Sequence, residues 1–339
     1  MITYIVRRIA LMIPILFGVT VIIFIVSHSL PTDPVLAVIG EQAAEHPAIV
    51  QAYREKWGLD KPLPVQYVTY VGNLIHGDLG ISINSHRPVA DDLRDYLPAT
   101  IELASAAVLI SVLVSIPLGI LAATRRGTAV DVLIRTFTLI GVSMPIFWLA
   151  LFALDIFYLR LGFAPGIGRL DVTAAPPPTV TGLYTVDSLL AGQFATFVDA
   201  LRHLALPSLV LASWSTGLLT RITRTSMLAI LHQDFLRTAR SKGASEAYVI
   251  WRHAFGNAVI PVMTVVGLAY GDLLSGAVMT ETIFSWPGIG RYAYQAATLA
   301  DFPAIMGVAL IVAFTYLMVN LIIDVAYGII DPRVRAAMS

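Results

Sequence analysis

The side chains able to do chemistry in this chain are few, and the most conspicuous is an acid inside an apolar run. Asp272 sits in AYGDLLSG, within a stretch from Ala258 to Thr280 that is otherwise almost wholly apolar. A carboxylate at the centre of a membrane helix costs about 2.5–3.5 kcal/mol on insertion scales, so it faces a water-filled cavity or a polar partner. Two readings stay open: a hydrogen bond or ion pair to a neighbouring helix, and the lining of a translocation route. Gly271 beside it would let another helix come close. Asp155 and Asp324 lie nearer the ends of apolar stretches, as interfacial or paired acids do. Glu281, in Thr280-Glu281-Thr282, suits either a gate or a cap. Asp272, Glu281 and Asp155 are thus the candidates for a translocation path.

Other chemistries lack their residues. No G-x-x-x-x-G-K-[ST] occurs, and none of the three lysines, Lys56, Lys61 and Lys242, precedes Ser or Thr, so the chain has no P-loop for ATP. H-E-x-x-H and G-x-S-x-G are missing as well, which argues against an intramembrane hydrolase. The seven histidines, His28, His46, His76, His86, His203, His232 and His253, are scattered and form no metal-ligand spacing. With no cysteine, disulfides, thiol catalysis and Cys-type zinc sites are excluded. The expected catalytic and metal sets are both empty.

The elements that must position these acids are membrane helices. Hydrophobic residues make up 57% of the 339, charged residues only 13%, and soluble domains carry about 25% charged. Six windows supply the roughly 20 apolar residues that hydrocarbon demands, approximately Ile9 to Leu30, Ile101 to Thr124, Leu133 to Leu154, Leu204 to Leu219, Ala258 to Thr280 and Ala304 to Ile323. The first exceeds the 7–15 residues usual in a signal peptide and is read as a retained helix. Pro14, Pro117 and Pro145 fall in or near spans and predict kinks. Placing both termini in the cytoplasm puts 13 of the 22 basic residues inside, most of them in short loops, where positive charge fixes orientation. The fold class is therefore an all-α integral membrane protein with six transmembrane helices. Residues 1–100 form an N-terminal helix plus an outer loop, and residues 101–339 form a five-helix domain.

Two outer loops and one inner loop carry further signal. In the first outer loop, Ile49 to Trp57 and Val65 to Ile75 read as helical, and Tyr67, Tyr70, Val71 and Leu74 share one face. The second holds the stiff Pro176-Pro177-Pro178 and an apolar-rich piece from Asp187 to Leu201. The inner loop 231–257 reads as two short helices broken at Gly243, with Gly243 as C-cap, Ser245 as the next N-cap, and Tyr248, Trp251 and Phe255 in one stripe. Arg221 and Arg224 alone would suit anionic lipid. An aromatic stripe on a glycine hinge exceeds what lipid attraction needs and points to protein docking.

Several blocks, in order, resemble the dipeptide/oligopeptide permease (DppB/OppB) family of ABC importers. They are RRIALMIPILFGVTVIIFIVSHSLPTDPV at the amino terminus, GLDKPLPVQY and HGDLGIS in the outer loop, and SMPIFW in the third span. HLALPSLVLA, RTARSKGAS, TETIFSWPGIGR and the terminal DPRVR follow. The resemblance covers almost the whole chain and is nearest the dipeptide branch. It implies a type I importer subunit in the cytoplasmic membrane of a prokaryote, with an unequal partner permease (DppC-like), two ATP-binding subunits (DppD/DppF-like) that hold ATP and Mg, and an external peptide-binding protein. Membrane lipids are the remaining partner, and nucleic acid is not one. The resemblance also implies an inner-loop motif, the EAA motif, whose short helix fits a cleft on the ATPase. Its leading positions fall on Arg237, Thr238 and Ala239, and its glycine on Gly243. Arg240, Ser241, Lys242, Ala244, Ser245, Tyr248 and Trp251 complete the coupling set. Asp272 stands where the family pattern often has a small residue, which suggests something particular to this substrate or subunit pairing. Related permeases carry nickel chelates, glutathione or haem, so the solute is open between these and peptides. The rival from another class is a secondary transporter driven by protons through Asp272 or Glu281.

Overall fold

Proline separates the spans that run on from the one that breaks. The computed structural model describes residues 2–28, 51 and 61–330, and His46, the DPRVR segment and, apart from residue 51, the expected helix Ile49 to Trp57 lie outside the described residues. α1 (Ile2–His28) contains Pro14 and α3 (Val89–Thr124) contains Pro98 and Pro117, yet both continue as single helices. Pro145 behaves differently. It forces Met144 into an extended conformation (φ −79°, ψ 130°), because a residue before proline is pushed out of the helical region. The expected third span is therefore two helices, α4 (Ala129–Ser143) and α5 (Ile146–Ala153), the latter running on as a π-helical turn, Leu154–Arg160. They meet at 99°, a break where the sequence suggested a kink.

Between α1 and α3 lies α2 (Leu63–Ile75), whose Tyr67 hydroxyl meets Thr20 Oγ1 of α1 at 2.8 Å. Its predicted face is thus a packing face, with Tyr67 and Tyr70 against Phe24. After the outer segment come α6 (Tyr184–Leu190) and α7 (Phe194–Leu231). The inner elbow begins with α8 (Asp234–Ser241). It leads through the short helix Glu246–Tyr248 and a π-helical turn, Val249–Phe255, into α9 (Gly256–Gly276). α10 (Val278–Ile283), α11 (Ile289–Thr298) and α12 (Phe302–Ile330) complete the described chain. Among the described residues five helices are long and apolar enough to cross a membrane, and the bent α4–α5 pair makes six if counted as one span. α3 passes through residues 100 and 101 without interruption, so the boundary drawn there falls inside a helix.

Small residues decide which helices touch. Without a hydrophobic drive between helices in lipid, close backbone approach supplies the packing. Gly119 of α3 faces Thr223 of α7, where a Cβ would sit 2.5 Å from the threonine Cβ, and Ser111 meets Ser215 at 2.6 Å on the same seam. Gly217 of α7 leaves room for Thr138 and Val142 of α4, and Gly267 and Gly271 of α9 receive Ile323 and Tyr316 of α12. The expected close approach at Gly271 is therefore made by α12.

Candidate coupling elbow and translocation face

The inner elbow is built on one buried anchor. Leu236 of α8 is fully buried beside Met227, Val249, Ala254 and Ala258, together with Ile120 and Ala123 of α3. Gly243 then turns the chain at φ +80°, which an L side chain rarely adopts, and its N–H bonds the Arg240 carbonyl at 2.9 Å. Ser245 takes the extended N-cap conformation and accepts the Val249 N–H through its carbonyl, while its side chain makes no capping bond. Arg240 and Glu246, one on each side of the glycine, form a two-pronged ion pair at 3.0 and 2.8 Å. Sequence reasoning missed that clamp, although opposite charges flanking a hinge glycine could have signalled it.

Around the anchor the outer surface is open. Arg237, Thr238, Ser241, Lys242, Gly243 and Ser245 are exposed, Ala239 and Ala244 are half-buried, and Phe235, Tyr248 and Trp251 present exposed rings. Trp251 packs edge-on against Phe255 at 5.9 Å, whereas Tyr248 turns to His253 at 5.2 Å, so the aromatic stripe is split in two. The cause is the π-helical turn Val249–Phe255, whose wider winding shifts side chains off the expected α-helical register.

The three candidate path acids meet different fates. Asp272 is exposed on α9, and its carboxylate has no hydrogen bond or ion pair among the described residues. Asp155 lies in the π-helical turn after α5 and pairs with Arg160 at 2.8 Å. Of the gate and the cap that the sequence left open for Glu281, the geometry fits the cap: the side chain is fully buried at the outer end of the bundle. Its carboxylate accepts Thr100 Oγ1 at 2.6 Å and the Arg291 N–H at 2.9 Å, at the amino end of α11. That explains the glycines of TETIFSWPGIGR, since a Cβ at Gly288 or Gly290 would collide with the carboxylate. Trp286 closes the pocket and donates its indole N–H to the Ala99 carbonyl at 2.8 Å.

A second buried acid, Glu102, went unnoticed in the sequence. It accepts Arg169 at 2.6 Å and both the N–H and the hydroxyl of Thr185 at 2.7 Å, while the guanidinium stacks 3.5 Å from the Tyr184 ring centre. This pins the outer segment to α3, and Asp187 holds the same segment by accepting Thr181, Gly182 and Val180. On the inner side Asp131 of α4 takes Arg224 of α7 at 2.8 Å. Beside that pair, α4 and α7 enclose a groove of about 540 Å³ lined by Leu139, Val142, Trp214 and Leu218, with Arg135 and Arg221.

Comparison with known proteins agrees with this architecture. Residues 115–336 match the family described as binding-protein-dependent transport system inner membrane component, and residues 1–104 match the N-terminal component described for such proteins. The chain is 48% identical to the Probable D,D-dipeptide transport system permease protein DdpB of Escherichia coli (strain K12), over 94% of this chain and 93% of that protein. It is 42% identical to the dipeptide transport system permease protein DppB of Alkalihalophilus pseudofirmus, over 99% of this chain and 100% of that one. A chain of the MetNI methionine ABC transporter in an inward-facing conformation shares the fold, with a TM-score of 0.51 and 13% identity over 70% of this chain and 96% of that one. The chain belongs to the family of binding-protein-dependent transport system inner membrane components, as a multi-pass permease subunit of an ABC importer.

Proposed function

We propose that this chain is one of two unequal permease subunits of an importer that moves dipeptides and oligopeptides across the cytoplasmic membrane of a prokaryote. The observation that carries the reading is the elbow around Gly243. Its exposed basic and aromatic surface rides on a buried anchor joined to α3, α7 and α9, so a push on the elbow reaches the spans. Two separate subunits bind ATP and Mg and supply the push, a DppC-like permease completes the path, and a peptide-binding protein delivers cargo to the outer face. The chain itself makes and breaks no bonds. Coupling of this kind needs a bistable element whose two states contact the partners differently, and the helix bundle is that element. Peptide cargo follows from the names of the relatives, which match this chain nearly end to end as dipeptide permeases.

The test is reconstitution of the full complex in proteoliposomes. Uptake of a radiolabelled dipeptide is expected only with ATP, the ATPase subunits and the binding protein present, and it should survive a protonophore. Uptake by this chain alone, or uptake abolished by the protonophore at constant ATP, would overturn the reading in favour of a proton-driven carrier.

A further inference from the structure

Charge of both signs is left unpaired on one side of the bundle. α7 and α9 both pack on α3, α7 through Ser215 and Thr223 and α9 through Tyr270, whose hydroxyl meets Ser105 Oγ at 3.0 Å. Side chains advance about 100° per residue around a helix. Asp272 is two positions from Tyr270 and Arg221 two from Thr223, so each turns to the side away from α3.

On that side Asp272 continues an exposed stripe with Asn257, Thr264 and Ser275. Those three spend their side chains on carbonyls of their own helix, at His253, Ile260 and Asp272 respectively. The carboxylate of Asp272 is the stripe's free charge. The groove between α4 and α7 offers the opposite sign. Arg224 is neutralised by Asp131, whereas Arg135 and Arg221 are exposed and make no ion pair or side-chain hydrogen bond among the described residues.

Depth separates the two charges. Met227 of α7 and Ala258 of α9 share the inner cluster and set a common level. At about 1.5 Å per residue Arg221 stands about 9 Å above it and Asp272 about 21 Å, a separation of about 12 Å. Two extended residues span about 7 Å, less than this difference in depth alone, so a dipeptide reaches one site at a time.

We propose that Asp272 receives the α-ammonium of a peptide in transit, and that Arg221 with Arg135 receives its terminal carboxylate, as two successive stations. This rests on the peptide reading given above and names the groups that recognise the cargo inside the permease. A fixed opposite charge at each depth stabilises a zwitterion that has left water without demanding any particular side chain.

The experiment uses the purified permease–ATPase complex without its binding protein and reads saturation-transfer NMR signals from alanyl-alanine, acetyl-alanyl-alanine and alanyl-alaninamide. The wild type is expected to favour the unblocked dipeptide over each blocked form by about tenfold, the size of one such contact. Asp272→Asn should abolish the penalty for acetylation and keep that for amidation. Arg221→Gln combined with Arg135→Gln should do the reverse, and Asp272→Glu should behave as wild type. A wild-type complex that ignores the blocking groups, or variants that lose both preferences equally, would overturn the proposal. So would an Asp272→Asn complex that loses its partner permease on size-exclusion chromatography, because Asp272 would then be an interface ion-pair partner. ATP-driven peptide uptake by the wild type, measured separately, shows whether the peptide reading itself stands.

Discussion

The outer end of the bundle and its inner elbow treat charge in opposite ways. Outside, Glu102, Arg169 and Glu281 are almost fully buried, and each carboxylate is met by donors from another segment of the chain. Inside, the charges of α8 and the residues after it stand in solvent, with a loose Arg237–Asp234 contact within α8 and the Arg240–Glu246 pair across a glycine. A buried ion pair tolerates one arrangement of its elements, because moving either partner strands the other in a medium that cannot solvate it. The outer end is thus a fixed frame. The elbow lacks such a penalty, and it can change its contacts when a partner moves.

The contrast is broken most severely at Arg169. Replacing it by alanine leaves Glu102 buried and uncompensated, and should lower stability by about 3–5 kcal/mol, read as a fall in the thermal unfolding midpoint in detergent. Arg169→Met with Glu102→Leu removes both charges and should recover most of the loss. A single variant as stable as wild type would mean that the frame does not depend on this pair.

Gly243→Val tests the other end. A β-branched residue at φ +80° is strained by about 1–3 kcal/mol, and relief of that strain rotates α8 against the turn that follows. The expected outcome is a rise of about tenfold in ATP hydrolysed per peptide transported, with the midpoint shifted by much less than for Arg169→Ala. Intact coupling would show that the elbow does not need the hinge.

Asp187 sharpens the comparison through pH. Burial pushes its carboxyl up, but the hydroxyl and N–H of Thr181 and the N–H groups of Val180 and Gly182 outweigh burial and hold it below the ordinary value of 3.8. A carboxyl lowered on folding stabilises the native state above the ordinary carboxylate value, and the contribution disappears as pH falls through the folded value. The protection of amides over residues 180–191, exchange rate divided into the intrinsic rate at the same pH, should stay constant between about pH 7 and 5 and fall below about pH 4. In Asp187→Ala that fall should vanish, since protection there is already low at neutral pH.

The order of the spans, the glycine hinge and the isolated acid at Asp272 were legible because they follow from local rules. Hydrocarbon needs about 20 apolar residues, glycine alone adopts φ +80° freely, and a lone acid stands out in an apolar run. The 99° break at Pro145 was legible only as a kink, since proline's effect on its predecessor is local while the final angle is set by packing. Glu102 and Arg169 were the illegible part, and Glu281 was legible as a gate or a cap but not in its burial or its distant donor. Glu281 meets Thr100 across 181 positions and Arg169 meets Glu102 across 67, and no local pattern shows that an acid at a span end has a donor waiting there. The split aromatic stripe was missed because a single π-helical turn shifts the register without leaving a mark in composition.

The smallest expected effect lies at the Arg240–Glu246 clamp, and it bears most directly on why the two ends differ. Both side chains are largely in water, at 39% and 59% exposure, so Arg240→Ala should cost only about 0.5 kcal/mol. The geometry is two-pronged, yet under the proposed function it holds a hinge that has to open. A strong pair would resist the motion that coupling demands, and no pair at all would leave α8 and the short helix beyond it without a resting angle. Arg240→Ala should therefore leave the unfolding midpoint nearly unchanged and lower transport per ATP about twofold, and the exchange Arg240→Glu with Glu246→Arg should restore it. A loss as large as that for Arg169→Ala would show that the elbow is a second rigid frame, and the division between a fixed outer end and a movable inner one would fail.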